Sequence, residues 1–350
     1  MQMAPLDPLD SPVQLSTISL ETKCAILDRL WGMKVQPSEF YKSDLHFDLY
    51  FRYYSQRCEA ALYDGGRHVS VRIHRNIIDI AEDIKADLDR KAIKSNLSLK
   101  LSWPKPANED EVLDASIDLV ASLLLMMNFR DAKFGYTGRR PLEWTTNTLK
   151  EFMTDMFKNS KNLGKETVKL EKIFSAVNFG RIAGIEIEWT NNLADHLRLI
   201  DEDKKVVIFH HASFLDSQTS CPLHPNGLIE ETIRTLALLF PSNDKRTEKW
   251  FRKVCRTEEL DRKAIECGRL RAEDRHIEKF EFWHDRLIIL KQFFDEAEPD
   301  TISQWWCDRR KRVQWYTFWV AAVVLGLTIF FGLVQSIEGA LQVYKSYHPS

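Results

Sequence analysis

Twenty consecutive uncharged residues, WYTFWVAAVVLGLTIFFGLV from Trp315 to Val334, constrain this chain more than any other feature. A bilayer's hydrocarbon core is about 30 Å thick and a helix rises about 1.5 Å per residue, so about 20 helical residues cross it. The next-longest apolar run, Leu119–Met127, spans nine residues and follows Asp114 and Asp118, the mark of a buried helix in a soluble unit. The expected fold class is mainly α with a small β element. An α+β cytosolic domain and a long charged helix precede a single transmembrane α-helix.

The flanks of the apolar run set an expected orientation. Arg309, Arg310, Lys311 and Arg312 stand immediately before it, and Lys345 is the one lysine or arginine after it. By the positive-inside rule the cluster faces the cytosol, where it also meets anionic headgroups. Trp315, Tyr316 and Trp319 match an interfacial aromatic belt. Residues 335–350 are expected to form a short luminal or extracellular tail, inserted after synthesis as in a tail anchor. Gly332, Ser336 and Ala340 recur four apart, as do Ala322 and Gly326, a spacing that suits helix self-association. Cys307, beside Trp305 and Trp306, is a candidate for S-acylation.

The remaining 314 residues carry ordinary globular composition, 44% hydrophobic and 29% charged over the whole chain. With a formal net charge of -2, no global basic field draws the protein to nucleic acid, and no nucleic-acid partner is expected. The six cysteines form no CxxC pair and read as reduced thiols. Residues 1–18, rich in Pro, Asp and Ser, lack the basic and apolar regions of a signal peptide and are expected to be a disordered leader.

Residues 19–244 read as one globular domain. Helical periodicity covers Ser19–Met33, Asp110–Asn128, Leu142–Phe157 and Leu228–Phe240, with a short strand running into a helix over Val69–Leu88. Ile185–Trp189 alternates as a half-buried strand. A short helix then reaches Leu199, and Val206–Phe209 forms a second strand. Residues 245–298 are expected to be one charged helical segment, with fourteen charged residues in the twenty-four from Arg256 to Lys279. Residues 299–314 form a basic juxtamembrane segment.

Candidate metal ligands are His210, His211, Cys221 and His224, with His196 and Asp195 nearby. On a continuing strand His210 and His211 point to opposite faces, which opposes shared coordination, so satisfied structural histidines are the expectation. Asp64-Gly65-Gly66-Arg67-His68 and Gly135-x-x-Gly138-Arg139-Arg140 offer turn geometry, with anion binding as the sharper alternative. Walker A, GxSxG, HExxH and kinase signatures are absent, and Ser213 near His211 along the chain does not make a triad. No catalytic residue and no cofactor is expected.

Three stretches, DASIDLVASLLLMM with PLEWTTNTLKEF, GIEIEWTNNLADHLRLIDEDKKVVIFHHASFL, and WWCDRRKRVQWYTFWVAAVVLGLTIFFGLVQSIEGALQVYKSYHP, resemble a family of uncharacterised filamentous-fungal proteins. The resemblance brings no known activity. A looser similarity in the order of parts is to CorA-type magnesium transporters. Those carry two membrane helices and a Gly-Met-Asn motif, where this chain has one span and Gly332-Leu333-Val334. The expected function is a membrane-anchored protein-interaction module whose partners are the bilayer and a protein or a second copy. The alternatives are a degenerate divalent-cation transporter and an enzyme with an unfamiliar site.

Overall fold

The computed structural model describes residues 7–14, 17–41, 46–101, 105–130, 141–158, 168–201, 204–297, 301, 304 and 312–347. Two units emerge, one of residues 1–180 with 185–294, the other of residues 181–184 with 295–350. The first is mainly helical with a small three-stranded sheet.

Helix α1, Leu20–Trp31, is capped at both ends. The Ser19 hydroxyl accepts the Thr22 N–H, and Gly32 closes the helix at φ 69°, a left-handed conformation that costs glycine little. Helices α2 (Asp48–Ala61), α3 (His74–Lys85) and α4 (Arg90–Lys100) surround α5 (Glu109–Leu125), which is buried over most of its circumference. Tyr50 and Tyr53 of α2 donate their hydroxyls to the carbonyls of Leu123 and Ser122. These are last-turn carbonyls of α5, which have no partner within the helix.

The leader expectation fails over residues 7–14. Leu9 and Val13 are buried, Val13 N–H donates to Arg72 O, and Asp7 and Asp10 both pair with Arg75. Two apolar side chains and an ion pair suffice to dock a segment whose composition alone reads as disordered. The expected strand near Val69 reduces to an isolated bridge, Pro12 with Ile73. The expected helix from Leu142 begins only at α6, Leu149–Phe157. Asn147 sits at φ 64°, and Thr148 and Glu151 form the reciprocal cap that starts the helix there.

After the short helix α7 (Ala176–Asn178) and a π-turn at Phe179–Ala183 come strands β1 (Glu186–Thr190), β2 (Arg198–Ile200) and β3 (Lys205–Phe209). Their order is β1-β3-β2, with β1 parallel and β2 antiparallel to β3. The helix expected to reach Leu199 is only a 3-10 turn, Leu193–Asp195. Leu197 adopts φ 60°, which breaks the helical path and lets β2 pair with β3.

Helices α8 (Ala212–Ser217), α9 (Leu228–Leu239), α10 (Lys245–Thr257) and α11 (His284–Glu296) follow. The continuous charged helix expected over 245–298 is therefore broken. Residues 258–283 run as turns and 3-10 segments, because Leu260, Ala264, Ile277, Phe280 and Trp283 are drawn into the core at non-helical spacing. Glu231 of α9 reinforces the break. Its buried carboxylate accepts N–H bonds from Glu281 (2.6 Å), Phe282 (2.8 Å) and Trp283 (2.8 Å), the donors that precede α11. Replacing Glu231 with Ala leaves three donors without this acceptor and is expected to cost at least about 3 kcal/mol in a urea titration. A loss under about 1 kcal/mol would show that water replaces the carboxylate without penalty.

In the second unit, α12 runs from Arg312 to Tyr347. Its stretch Trp315–Tyr344 is the one helix among the described residues long and apolar enough to cross a membrane, with mean hydropathy 2.3 and no part of its apolar window buried. The 36 residues of α12 extend about 54 Å, so the helix continues through most of the expected tail. Gly332, Ser336 and Ala340 thus lie on one continuous helix, where Ser336 spends its hydroxyl on the Gly332 carbonyl. Cys307, Arg309, Arg310 and Lys311 lie outside the described residues. Arg312 opens α12.

Candidate functional site

The sequence candidates around His210 meet at the C-terminal end of β3. Four of the five β3 residues are buried, and the strand stops at Phe209 because the chain turns into α8. His210 and His211 therefore lie beyond the strand and do not alternate across it. Their rings stack on one side, centroids 4.1 Å apart and 28° from parallel. Each ring is committed to a different partner. His210 Nδ1 accepts the Asp261 N–H at 3.2 Å, and His211 Nε2 donates to Asn191 Oδ1 at 2.6 Å.

Asp261 is the organiser, and nothing in its charged neighbourhood singles it out in the sequence. It is 1% exposed and accepts the Ser213 N–H at 2.6 Å, the Ser213 hydroxyl at 3.1 Å and the Lys263 N–H at 3.0 Å. One carboxylate thereby caps both α8 and the 3-10 turn Arg262–Ile265. Burial raises its pKa above the usual aspartate value, while those three hydrogen bonds pull the other way.

A serine, two histidines and an aspartate in one buried network invite a nucleophile reading, but the bonds run the wrong way for it. The Ser213 hydroxyl donates to Asp261 and accepts the backbone N–H of His46 at 3.0 Å. No imidazole nitrogen bonds to it among the described residues, so the histidine base of a Ser-His-Asp triad is not in place. The described cysteines, Cys24, Cys58, Cys221, Cys255 and Cys267, all have their thiol pKa raised by burial, Cys267 to about 12. They are held as thiols, the unreactive form.

The other ligand candidates are scattered. His196 lies inside the core, where Nδ1 accepts the Phe209 N–H at 3.1 Å and Nε2 meets Thr235 Oγ1 at 2.7 Å. Asp195 bonds Asn192 and faces Arg198. His224 is buried with neither ring nitrogen hydrogen-bonded, and Cys221 is half-buried. Among the described residues no three His, Cys, Asp or Glu side chains converge on a point where they would hold a metal ion. In the Asp64-Gly65-Gly66 turn, Arg72 fills the concavity by donating to the carbonyls of Gly66, Val69 and Val71. The turn presents acceptors to a cation rather than donors to an anion. The Gly135–Arg140 loop lies outside the described residues.

The surface carries a second candidate. Helix α10, KRTEKWFRKVCRT, buries Thr247 and Phe251 and exposes Lys245, Arg246, Lys249, Arg252, Lys253 and Arg256. Arg252 pairs with Glu248 at 2.6 Å. The other five cations have no ion-pair partner among the described residues. The 3- and 4-residue spacing puts them on one side of the helix. No family model, curated protein or solved structure matches the chain.

Proposed function

We propose that this protein is a single-pass, membrane-anchored interaction module. Its first unit faces the cytosol and engages an acidic protein surface through α10. The observation that carries the reading is the row of five exposed cations on α10 with no ion-pair partner among the described residues, in a chain whose net charge is only -2. An exposed basic helix face raises the encounter rate with an acidic partner and disfavours basic ones.

The apolar stretch Trp315–Tyr344 supports the anchor half of the reading. Trp315 and Tyr344 are about 44 Å apart along a straight helix, close to the full thickness of a bilayer with its headgroups. The basic cluster Arg309–Arg312 supports a cytosolic first unit. The face of Gly332, Ser336 and Ala340 would let two copies approach closely within the membrane. The full-length protein is expected to stay in the membrane pellet after alkaline carbonate extraction, and a variant ending at Gln314 to be released. Retention of that variant would mean that something other than α12 holds the protein to the membrane.

The partner half is tested by reversing charge on α10. Lys249→Glu, Lys253→Glu and Arg256→Glu together leave Thr247 and Phe251 in place, so folding stability should shift by no more than about 0.5 kcal/mol per site. Affinity purification in mild detergent, quantified against the wild type, should show loss of acidic partner proteins. An identical partner set from both forms would remove α10 as the binding surface.

A further inference from the structure

A second feature of the first unit has no part in the α10 reading. A cavity of about 600 Å³ lies among the C-terminal end of α9, residues 171–174 and residues 269–275. Its apolar wall is Phe174, Ala237, Leu238, Pro241 and Leu270. Four cations also line it, Lys172, Arg269, Arg271 and Arg275, against two carboxylates, Glu171 and Asp244.

Arg275 is the unusual member. It is 9% exposed, its Nε is buried without a hydrogen-bond partner, and its side chain has no ion pair among the described residues. Neither nearby carboxylate relieves it. Asp244 is committed to capping α10, accepting from Arg246 N–H, Thr247 N–H and the Thr247 hydroxyl. Glu171 is exposed and makes no ion pair among the described residues. A buried guanidinium without a counter-charge is costly unless something else supplies one.

The backbone holds this arginine in place from both sides. Gly268, at φ 99°, accepts the Ser242 N–H at 3.0 Å. At the other end, Leu170 N–H donates to Arg275 O at 2.7 Å and Ile277 N–H donates to Val168 O at 3.0 Å. Residues 269–275 are thus a strap pinned at each end, with three arginines along one wall of the cavity. A preorganised cluster of guanidinium groups suits the planar, multidentate recognition of phosphate oxygens, and the apolar wall suits a hydrophobic body attached to that phosphate.

We propose that this cavity is a binding site for a phosphate monoester bearing an apolar group, with Arg275 as the buried contact to the phosphate and Arg269, Arg271 and Lys172 at its rim. A soluble organic phosphate and the headgroup of an acidic phospholipid share this chemistry.

The test uses full-length protein in nanodiscs of neutral lipid, titrated calorimetrically with phenyl phosphate and with inorganic phosphate. Phenyl phosphate should bind saturably at one site and more tightly than inorganic phosphate. Arg275→Gln should weaken it by about tenfold or more, and Lys253→Gln on α10 should leave it unchanged. Arg275→Met should raise the thermal midpoint of the unliganded protein, because it removes an uncompensated buried charge. If Arg275→Gln does not fold, the exposed pair Arg269→Gln with Arg271→Gln carries the same test. Nanodiscs containing phosphatidic acid separate the two sources. Loss of phenyl phosphate binding there identifies a lipid headgroup, and undiminished binding identifies a soluble ligand. Absence of saturable binding, or binding that survives these arginine substitutions, would overturn the proposal.

Discussion

Lowering the pH from about 7.5 to about 5.5 is expected to remove a large part of the folding stability, because five histidines are buried in neutral form. Burial depresses the pKa of His74 and His224 to about 4, of His196 and His210 to about 3, and of His211 well below the ordinary value. For His211 the neighbouring His210 ring adds to the effect. In the unfolded chain these groups take up protons near pH 6.5, whereas in the folded protein they do not until pH 3 to 4. The unfolded state therefore binds more protons throughout that window, and stability falls as pH falls through it. At pH 5.5 each histidine costs about 1.4 kcal/mol, or about 7 kcal/mol for all five, comparable with the whole stability of many domains. Asp118, Glu231 and Asp261, whose pKa values burial raises, oppose the trend. Urea unfolding at about pH 7.5, 6.5 and 5.5 reads the slope directly. Replacing both His210 and His211 with Gln should remove about two of the five protons taken up on unfolding. Stability independent of pH across this range would mean that these rings take up protons in the fold as readily as in the unfolded chain.

The second large effect concerns a buried ion-pair cluster at the N-terminus of α4. Arg90 is 3% exposed and donates to Asp118 Oδ1 at 2.6 Å and to Asp114 Oδ1 at 2.9 and 3.1 Å. Its guanidinium also lies 5.1 Å from the ring centroid of Trp144. Arg130 reaches Asp118 Oδ2 at 3.1 Å, and Lys94 reaches Asp114 Oδ2 at 3.2 Å. Replacing Arg90 with Met fills the space but leaves Asp118 with only the half-exposed Arg130. The expected cost is about 3–5 kcal/mol, read as a lower urea midpoint at neutral pH. Combining it with Asp118→Leu should recover most of that loss, since removing both members of a buried pair is often nearly neutral. A double variant no more stable than the single one would show that Arg90 acts through its packing on Trp144 rather than through charge.

These two networks illustrate how far the sequence could be read. The four-residue spacing of Asp114 and Asp118 ahead of an apolar run was visible, and two acids on the buried side of a helix demand a cation. Which cation answers is a tertiary matter, because Arg90 lies on a different helix and carries no local mark. In the same way His210 and His211 stood out, whereas Asp261, some fifty residues on, did not. On a strand continuing through His211 the two rings would point to opposite faces; β3 ends at Phe209, where the sequence pattern also ended, and the rings stack.

Local patterns determined the ends of α1, the existence of α5 and α9, the strand at β1 and the apolar span in α12. In each case the signal is a side chain acting on its own backbone or a periodicity within one element, and such signals need no knowledge of distant residues. Long-range packing decided the rest. Leu9 and Val13 docked a leader that composition marked as disordered. Leu260, Ile277 and Phe280 pulled a charged segment out of helical form and into the core. The strap of residues 269–275 placed Arg275 beside an open cavity with no ion-pair partner among the described residues. A charged residue's environment depends on what the fold brings against it, and for Arg275 and Asp261 the neighbours come from segments far away in the chain.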